Sequence, residues 1–211
     1  MHYFNKEDIA AFSKIYRLNL INSITGYKSA NMIGTKSNSG KENLAIFSSI
    51  THLGSNPAML HFTLRPNTVP RDTYKNIKEN HIFTVNHVSL DQIEDAHHTS
   101  AKYEEEISEF DQTELIAEYK ANCQAPFVKG APVQLACRYL NEYEIKENDC
   151  VLLVAAIEHI FVENQMLQDD GWVSLELGKV VAINGLDGYA LPQLQKRLEY
   201  ARPKINNTNQ Q

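Results

Sequence analysis

Three motifs that identify common nucleotide-binding and hydrolytic folds are missing from this sequence. It contains no GxGxxG pattern, no GxxxxGK[S/T] loop and no GxSxG turn. The first two bring backbone N–H groups against phosphates and the third exposes a nucleophilic serine, so their absence argues against a Rossmann fold, a P-loop enzyme and an α/β-hydrolase. Any nucleotide must therefore be bound in another way.

Cysteine is scarce as well. The chain has 3 cysteines, Cys123, Cys137 and Cys150, and none is spaced as CxxC. This odd, scattered set predicts neither a disulfide framework nor a zinc site, and we expect small buried apolar side chains in a reducing cytoplasm. His97 and His98 are adjacent and point in different directions, so they do not share a metal ion. We expect no metal centre.

Long apolar runs and an excess of basic residues are also absent. No segment approaches the roughly 20 apolar residues that cross a bilayer, and the first ten residues lack the features of an export signal. The net charge is -6 at pH 7, which argues against nucleic-acid binding. We expect a cytoplasmic protein that binds neither membrane nor nucleic acid, with one domain over residues 1–203 and a disordered tail over 204–211.

What the sequence does contain is β-strand patterning. Between Ala58 and Leu64 the even-numbered positions are apolar and form one face, as in a half-buried strand. Similar patterns predict strands over Lys28–Thr35, from Asn43 onward, over residues 81–88, around Val133–Tyr139 and over Cys150–Val162. The first two are separated by the turn-forming residues of KSNSGKEN and form a predicted hairpin.

Helices are predicted at four places. One is capped by Asn5, one begins at Pro70, one lies around Leu90–Ala96, and a final helix begins at Pro192 and ends at Pro203. Strands joined mostly by short turns, without regular βα alternation, predict a mainly β fold with peripheral helices, arranged as a closed or nearly closed antiparallel barrel.

Some polar segments are predicted to have no ligand. The acidic stretch YEEEISEF (103–110) is expected to be a solvated helix or loop without a chemical role. His52, Ser55 and Asn56 are assigned to a turn. His61 shares a strand face with Thr63 and is either part of a site or a hydrogen-bonded interior histidine.

Hydroxyl, amide and cationic side chains are concentrated between Lys28 and Asn76. Among them, Arg71 and Thr73 fall in the first turn of the predicted second helix. Guanidinium, hydroxyl and backbone N–H groups at such a position suit a phosphate. The alternative is that both residues only cap the helix.

Several runs in this region, and beyond it, occur in a distinctive order and spacing. They are GYKSANMIGT (26–35), NLAIFSSITHLGSNPAMLHF (43–62), RDTYKNI (71–77) and FTVNHV (83–88), followed by HHTSAKY, SEF, APFVKGAPVQLACR and GLDGYALPQLQKRLEYARP. Taken together they resemble the flavin reductase-like family, whose fold is the FMN-binding split β-barrel. The resemblance covers nearly the whole chain. Its specificity comes from the order and spacing of the runs, because each run alone is a weak signal.

The resemblance implies a homodimer in which each barrel binds one FMN near the subunit interface. NADH or NADPH would pass a hydride to the flavin, and the electrons would go on to free flavin or another acceptor. In the family, the segments matching Lys28–Met32 and Asn43–Ser49 border the isoalloxazine ring, and the segment matching Arg71–Thr73 is the phosphate end. Carried over residue by residue, the cofactor-binding candidates are Lys28, Ser29, Ala30, Asn43, Phe47, Ser48, Ser49, Arg71 and Thr73.

One position departs from the family pattern. Many relatives have Arg-Pro where this chain has Lys28-Ser29. Lys lacks the planar fork of Arg, so its contact with flavin or phosphate would differ in geometry.

The resemblance leaves two alternatives to the enzyme. The chain could be a flavin-binding or electron-carrier protein without nicotinamide turnover, or a related split barrel for a pyridoxal or haem compound. A partner oxygenase that consumes the reduced flavin is a further expectation. Because the cofactor supplies the chemistry, no acid–base pair is required and catalytic residues stay unassigned.

Overall fold

One large antiparallel sheet dominates the computed structural model, which describes residues 1–66, 71–104 and 106–203. In chain order the strands are β1 (Lys28–Ser29), β2 (Asn31–Lys36), β3 (Glu42–Phe47), β4 (Thr51–Ser55), β5 (Ala58–Leu64), β6 (Ile82–His87), β7 (Ala117–Glu118), β8 (Phe127–Val128), β9 (Val133–Ile145), β10 (Cys150–Val162), β11 (Ala182–Asn184) and β12 (Gly188–Ala190). The main sheet has seven strands in the order β3-β2-β6-β9-β10-β5-β4, and all of its neighbouring pairs are antiparallel. The predicted mainly β, antiparallel class is confirmed.

Most of the predicted strands are confirmed, with two corrections. The hairpin is β2–β3, in which Thr35 pairs with Asn43. The predicted single strand Lys28–Thr35 is divided, because β1 pairs with β11 in a small sheet while β2 joins the main sheet. The turn assigned to His52 and Ser55 is wrong, since both lie in β4. β4 is an exposed edge strand, and polar side chains on such an edge conceal its pattern.

Four α-helices lie around the sheet in the described part of the chain: α1 (Lys6–Ala11), α2 (Lys14–Ile24), α3 (Asp72–Asn80) and α4 (Ile93–His98). The predicted cap of α1 is confirmed, because the Asn5 side chain accepts from the Asp8 N–H at 2.8 Å. α3 and α4 form where helices were predicted, although the expected start at Pro70 lies outside the described residues. Sequence patterning missed α2, which has no buried residue and therefore no apolar stripe to detect.

The final helix predicted from Pro192 is wrong. Residues 191–203 form neither helix nor strand, and Leu198 in this segment is 73% exposed. The leucine spacing is helical, but a short helix in water needs an apolar surface to pack against. The segment contacts the loop before β11 through Arg197. The Arg197 side chain pairs with Asp170 and lies 4.8 Å from the centre of the Trp172 ring. The predicted tail over 204–211 lies outside the described residues.

The core lies on both faces of β2. On one face, Ile33 packs with Phe62 and Phe83, whose rings meet edge to face with centroids 5.7 Å apart. On the other, Met32 packs in a second cluster with Val88. As predicted, the three cysteines are buried and free. None of the helices in the described residues is both long and apolar enough to cross a membrane.

Gly34 in β2 is expected to be essential for this packing. A Cβ at this position would overlap the carbonyl oxygen of Pro126 and lie 2.6 Å from Thr84 Oγ1. Since strand backbones cannot shift cheaply in a close-packed core, we expect Gly34→Ala to destabilise the fold by about 1–3 kcal/mol or more. Chemical denaturation measures this loss.

The matched control is Gly26→Asn. No atom lies within 4 Å of a Cβ there, and the residue has φ +83, a conformation that Asn tolerates better than most residues. Equal denaturation midpoints for the two variants would contradict the packing argument.

Candidate functional site

Two of the candidate residues belong to a buried polar network. Asn43 Nδ2 donates to Thr35 Oγ1 at 3.2 Å and to Thr73 Oγ1 at 3.0 Å, while Asn76 Nδ2 donates to the same Thr35 oxygen at 3.1 Å. All four side chains are buried. The network joins α3 to β2 and β3, so Asn43 and Thr73 use their side chains to hold elements together.

Arg71 lies at the N-cap position of α3, but its side chain makes no capping hydrogen bond. The side-chain capping alternative is therefore wrong for Arg71. Its Nε is buried and has no hydrogen-bond partner among the described residues. Arg71 lines a small cleft together with Arg65, Leu64, Tyr74 and Val151. A buried N–H without a partner is costly, and a guanidinium beside a helix start suits an anion.

Two serine hydroxyls hold the connection between β3 and β4 from opposite sides. Ser29 Oγ donates to the Ile50 carbonyl at 3.2 Å. Ser49 Oγ donates to the Thr63 carbonyl at 2.9 Å and accepts from the Thr63 N–H at 3.3 Å. These contacts tie the connection to β1 and to β5. Ser48, the first residue of this connection, is half-buried.

Ala30 and Phe47 complete this end of the site. Ala30 is 1% exposed, and the next residue, Asn31, pairs with Phe47 across the hairpin. The Phe47 ring meets the Phe62 ring edge to face with centroids 5.5 Å apart. The structure thus brings together the segments that contain Ser29, Ala30, Phe47, Ser48 and Ser49, through the β2–β3 pairing and the Ser29 contact with Ile50.

Lys28 makes a different set of contacts. Its ammonium donates to the Asn22 carbonyl at 2.8 Å, to Thr25 Oγ1 at 3.1 Å and to the Gly26 carbonyl at 3.2 Å. These oxygens lie at the C-terminal end of α2, where carbonyls lack helical partners and the helix dipole is negative. Lys28 therefore caps a helix.

Comparison with known proteins decides the family. A family model described as "Flavin reductase like domain" matches residues 26–183. This chain belongs to that family. The resemblance seen in the sequence is confirmed, and the match supports a flavin-related oxidoreductase function.

Solved structures of similar proteins have the same fold. A putative flavin reductase with a split barrel domain from Shewanella frigidimarina NCIMB 400 is 38% identical, with a TM-score of 0.92 over 95% of this chain and 100% of that one. Nitrilotriacetate monooxygenase component B from Bacillus cereus is 18% identical, with a TM-score of 0.82 over 94% and 98% of the two chains. Flavoredoxin of Desulfovibrio vulgaris (Miyazaki F) is 18% identical, with a TM-score of 0.69 over 86% and 92%. The fold of this flavin reductase-like chain is the split barrel.

Within this flavin reductase-like domain, sequence reasoning missed a polar pair at the end of β2 and β6. Asn31 is 1% exposed and is the cross-strand neighbour of both Phe47 and His87. Asn31 Nδ2 donates to Ser29 Oγ at 2.8 Å. Burial lowers the pKa of His87 to about 4, so its imidazole is neutral at pH 7. Only the pairing of the two strands brings these residues together.

The acidic stretch 103–110 contains the second missed residue, which corrects the expectation that it is only solvated. Glu109 is 8% exposed, and its carboxylate accepts from the Leu44 N–H at 2.8 Å. Burial raises the pKa of this carboxyl. Nothing in the local pattern distinguishes Glu109 from the exposed Glu106, because its partner is in a distant strand.

Histidines do not form a metal centre in the described ranges, where no three His, Cys, Asp or Glu side chains meet in a way that would hold an ion. His97 Nδ1 lies 3.1 Å from the Tyr189 hydroxyl, and His98 Nε2 lies 2.5 Å from that of Tyr103. His61 is half-buried, and its Nδ1 lacks a partner among the described residues. Both interpretations of His61 remain open.

A cleft of about 230 Å³ lies along another face of α3. The hairpin turn and α3 form it, and its lining includes four carboxylates, from Glu42, Asp72, Glu79 and Glu106, against two lysines, Lys41 and Lys75. An acidic lining repels a phosphate, whereas the small cleft at Arg71 is lined by two arginines, Arg65 and Arg71.

Proposed function

We propose that this chain is an FMN-binding NAD(P)H:flavin oxidoreductase. The observation that carries the proposal is the buried Nε of Arg71 at the start of α3, which has no hydrogen-bond partner among the described residues, in a domain of the flavin reductase-like family. When bound, FMN would supply hydride chemistry, accepting from NADH or NADPH and reducing free flavin or another acceptor.

The residues of the chain would hold and orient the cofactor. Arg71 would pair with the phosphate, because a guanidinium can donate two hydrogen bonds to it. Backbone N–H groups near Ser48 and Ser49 would face the ring edge, where fixed donors stabilise developing negative charge. Asn43 and Thr73 would act indirectly, since their side chains already bond each other at 3.0 Å.

Lys28 is the candidate with the least support from its contacts. Its ammonium already contacts three oxygens at the end of α2. In this proposal it supports Ser29 and Ala30 through the backbone of β1 and does not reach the flavin itself.

We also propose that two copies of the chain assemble as a homodimer. β10 lies between β9 and β5, yet its residues Leu152, Val154 and Ala156 are only half-buried. The neighbouring Tyr143 on β9 is 57% exposed. An uncovered apolar sheet face of this kind suits an interface with a second copy.

The mass in solution tests the assembly. We expect sedimentation equilibrium to give twice the chain mass of 24.0 kDa. Leu152→Lys should shift the population toward the single chain, because it places a charge on the proposed interface. Lys146→Glu, in the β9–β10 turn, is the control and should leave the mass unchanged. A single-chain mass for the wild type at micromolar concentration would contradict the dimer.

Two solved structures with a similar fold bear on where the electrons of the reduced flavin would go. The fold likeness to a monooxygenase component B supports a partner oxygenase that uses the reduced flavin. The likeness to a flavoredoxin supports the second candidate function, an electron carrier without nicotinamide turnover of its own.

Anaerobic titration of the FMN-loaded protein separates the enzyme from the carrier. We expect NADH or NADPH to bleach the flavin absorbance stoichiometrically, and steady-state oxidation of the donor to continue when free FMN is added. A protein that takes up FMN but oxidises neither donor above background would be a carrier. Failure to take up FMN at all would refute both candidates.

Arg71→Ala tests the anion-binding end of the site. Loss of a charge-assisted bond should weaken FMN binding by about 1.5–3 kcal/mol, roughly tenfold to a hundredfold in Kd. Riboflavin, which lacks the phosphate, should bind the variant and the wild type equally. Fluorescence titration with both ligands gives the two affinities.

The control is Arg138→Ala, which removes an arginine whose Nε pairs with Glu158 at 2.5 Å on the β9–β10 pair. It should leave both affinities unchanged. An unaltered FMN affinity in Arg71→Ala would remove Arg71 from the site.

A further inference from the structure

We propose that Glu109 is a positioning residue of the flavin site, whose carboxylate holds the open edge of β3 so that the N–H groups farther along that edge face the cofactor. The inference rests on the proposed flavin binding and adds to it a residue outside the segments expected to touch the ring. Glu109 belongs to the 3₁₀ turn Glu109–Gln112, which packs against β3.

The position of β3 in the sheet makes such a contact necessary. β3 is the first strand in the order of the main sheet, so only β2 pairs with it. On an antiparallel strand the N–H groups point alternately toward the partner strand and away from it. The Leu44 N–H points away, and the Glu109 carboxylate accepts it at 2.8 Å. Without Glu109, a buried backbone donor would lose its partner.

The same alternation extends the argument to the candidate site. Two residues after Leu44, the Ile46 N–H lies on the same edge, and β3 ends at Phe47, one residue before Ser48. Phe47 is thus about 10 Å along the strand from Leu44, at about 3.3 Å per residue. Glu109 therefore does not touch the ring but fixes the direction of the edge that the ring would meet.

The start of β3 is held at two successive residues. Asn43 is bonded through its side chain to α3, and Leu44 is bonded through its backbone to Glu109. The two contacts tie the strand to two different elements, α3 and the Glu109–Gln112 turn. The serine contacts of Ser29 and Ser49 hold the other end.

The choice of a carboxylate is informative. Burial raises the pKa of the Glu109 carboxyl, and the hydrogen bond from the Leu44 N–H acts in the opposite direction because it favours the charged form. A neutral side chain would avoid the cost of burial. In its ionised form, however, a carboxylate makes a stronger hydrogen bond to the Leu44 N–H than a neutral acceptor can make.

The test compares three changes at one position. Glu109→Ala removes the acceptor, Glu109→Met removes it at similar side-chain length, and Glu109→Gln retains a carbonyl oxygen for the Leu44 N–H. We expect the Glu109→Ala and Glu109→Met variants to weaken FMN and riboflavin binding equally, by tenfold or more, because the end of the site that would face the flavin ring is displaced. Gln should restore both affinities to within about threefold of the wild type.

A matched control separates positioning from general loss of stability. Asn148 Oδ1 accepts from the Cys150 N–H at 3.2 Å, which is the same kind of contact at the start of β10. Asn148→Ala should lower the melting temperature without changing either flavin affinity. The absorption bands of bound flavin should shift in Glu109→Met and not in Asn148→Ala.

Each outcome decides the proposal. Wild-type flavin affinity in folded Glu109→Ala or Glu109→Met overturns it, and so does a Glu109→Gln variant that binds as weakly as Met. If Ala does not fold, the comparison of Met with Gln gives the answer. Failure of the wild-type protein to bind either flavin would instead overturn the proposed function, and this is measured first.

Discussion

The buried network of Asn43, Thr35, Thr73 and Asn76 is the interaction on which the rest of the site depends. It lies between the β2–β3 hairpin and α3, and each donated bond is between 3.0 and 3.2 Å. Polar groups at such depth are stable only when they are paired, so the network permits one placement of α3 against the sheet. That placement positions Arg71 at the start of α3, where its Nε has no protein partner among the described residues.

In this arrangement the polar residues have different structural roles. Most of them bond to other parts of the chain: Ser29 and Ser49 hold the β3–β4 connection, Glu109 holds the edge of β3, and Lys28 caps α2. These contacts suit the proposed role, in which the side chains orient a bound cofactor. This is the arrangement expected of a protein whose cofactor carries the chemistry, and it agrees with the lack of an acid–base pair in the sequence.

Sequence patterns predicted the elements in which apolar residues recur regularly along the chain. Ala58–Leu64 alternates because one of its faces packs in the barrel, and Cys150–Val162 is predicted by its apolar, β-branched residues although one of its faces is only half-buried. The same reasoning failed where burial is absent. α2 has no buried residue and was missed, and the leucines after Pro192 have helical spacing but remain exposed in the part of the chain that the structure describes.

By itself, the sequence determined the antiparallel β class and the family. Only the tertiary structure decided which polar side chains are already satisfied and which are not. The reason is separation along the chain: Asn43 bonds a residue 30 positions away, and Glu109 bonds one 65 positions away. Local sequence patterns indicate which residues are buried and where turns form. A hydrogen bond between residues so far apart in the sequence forms only after the strands have paired.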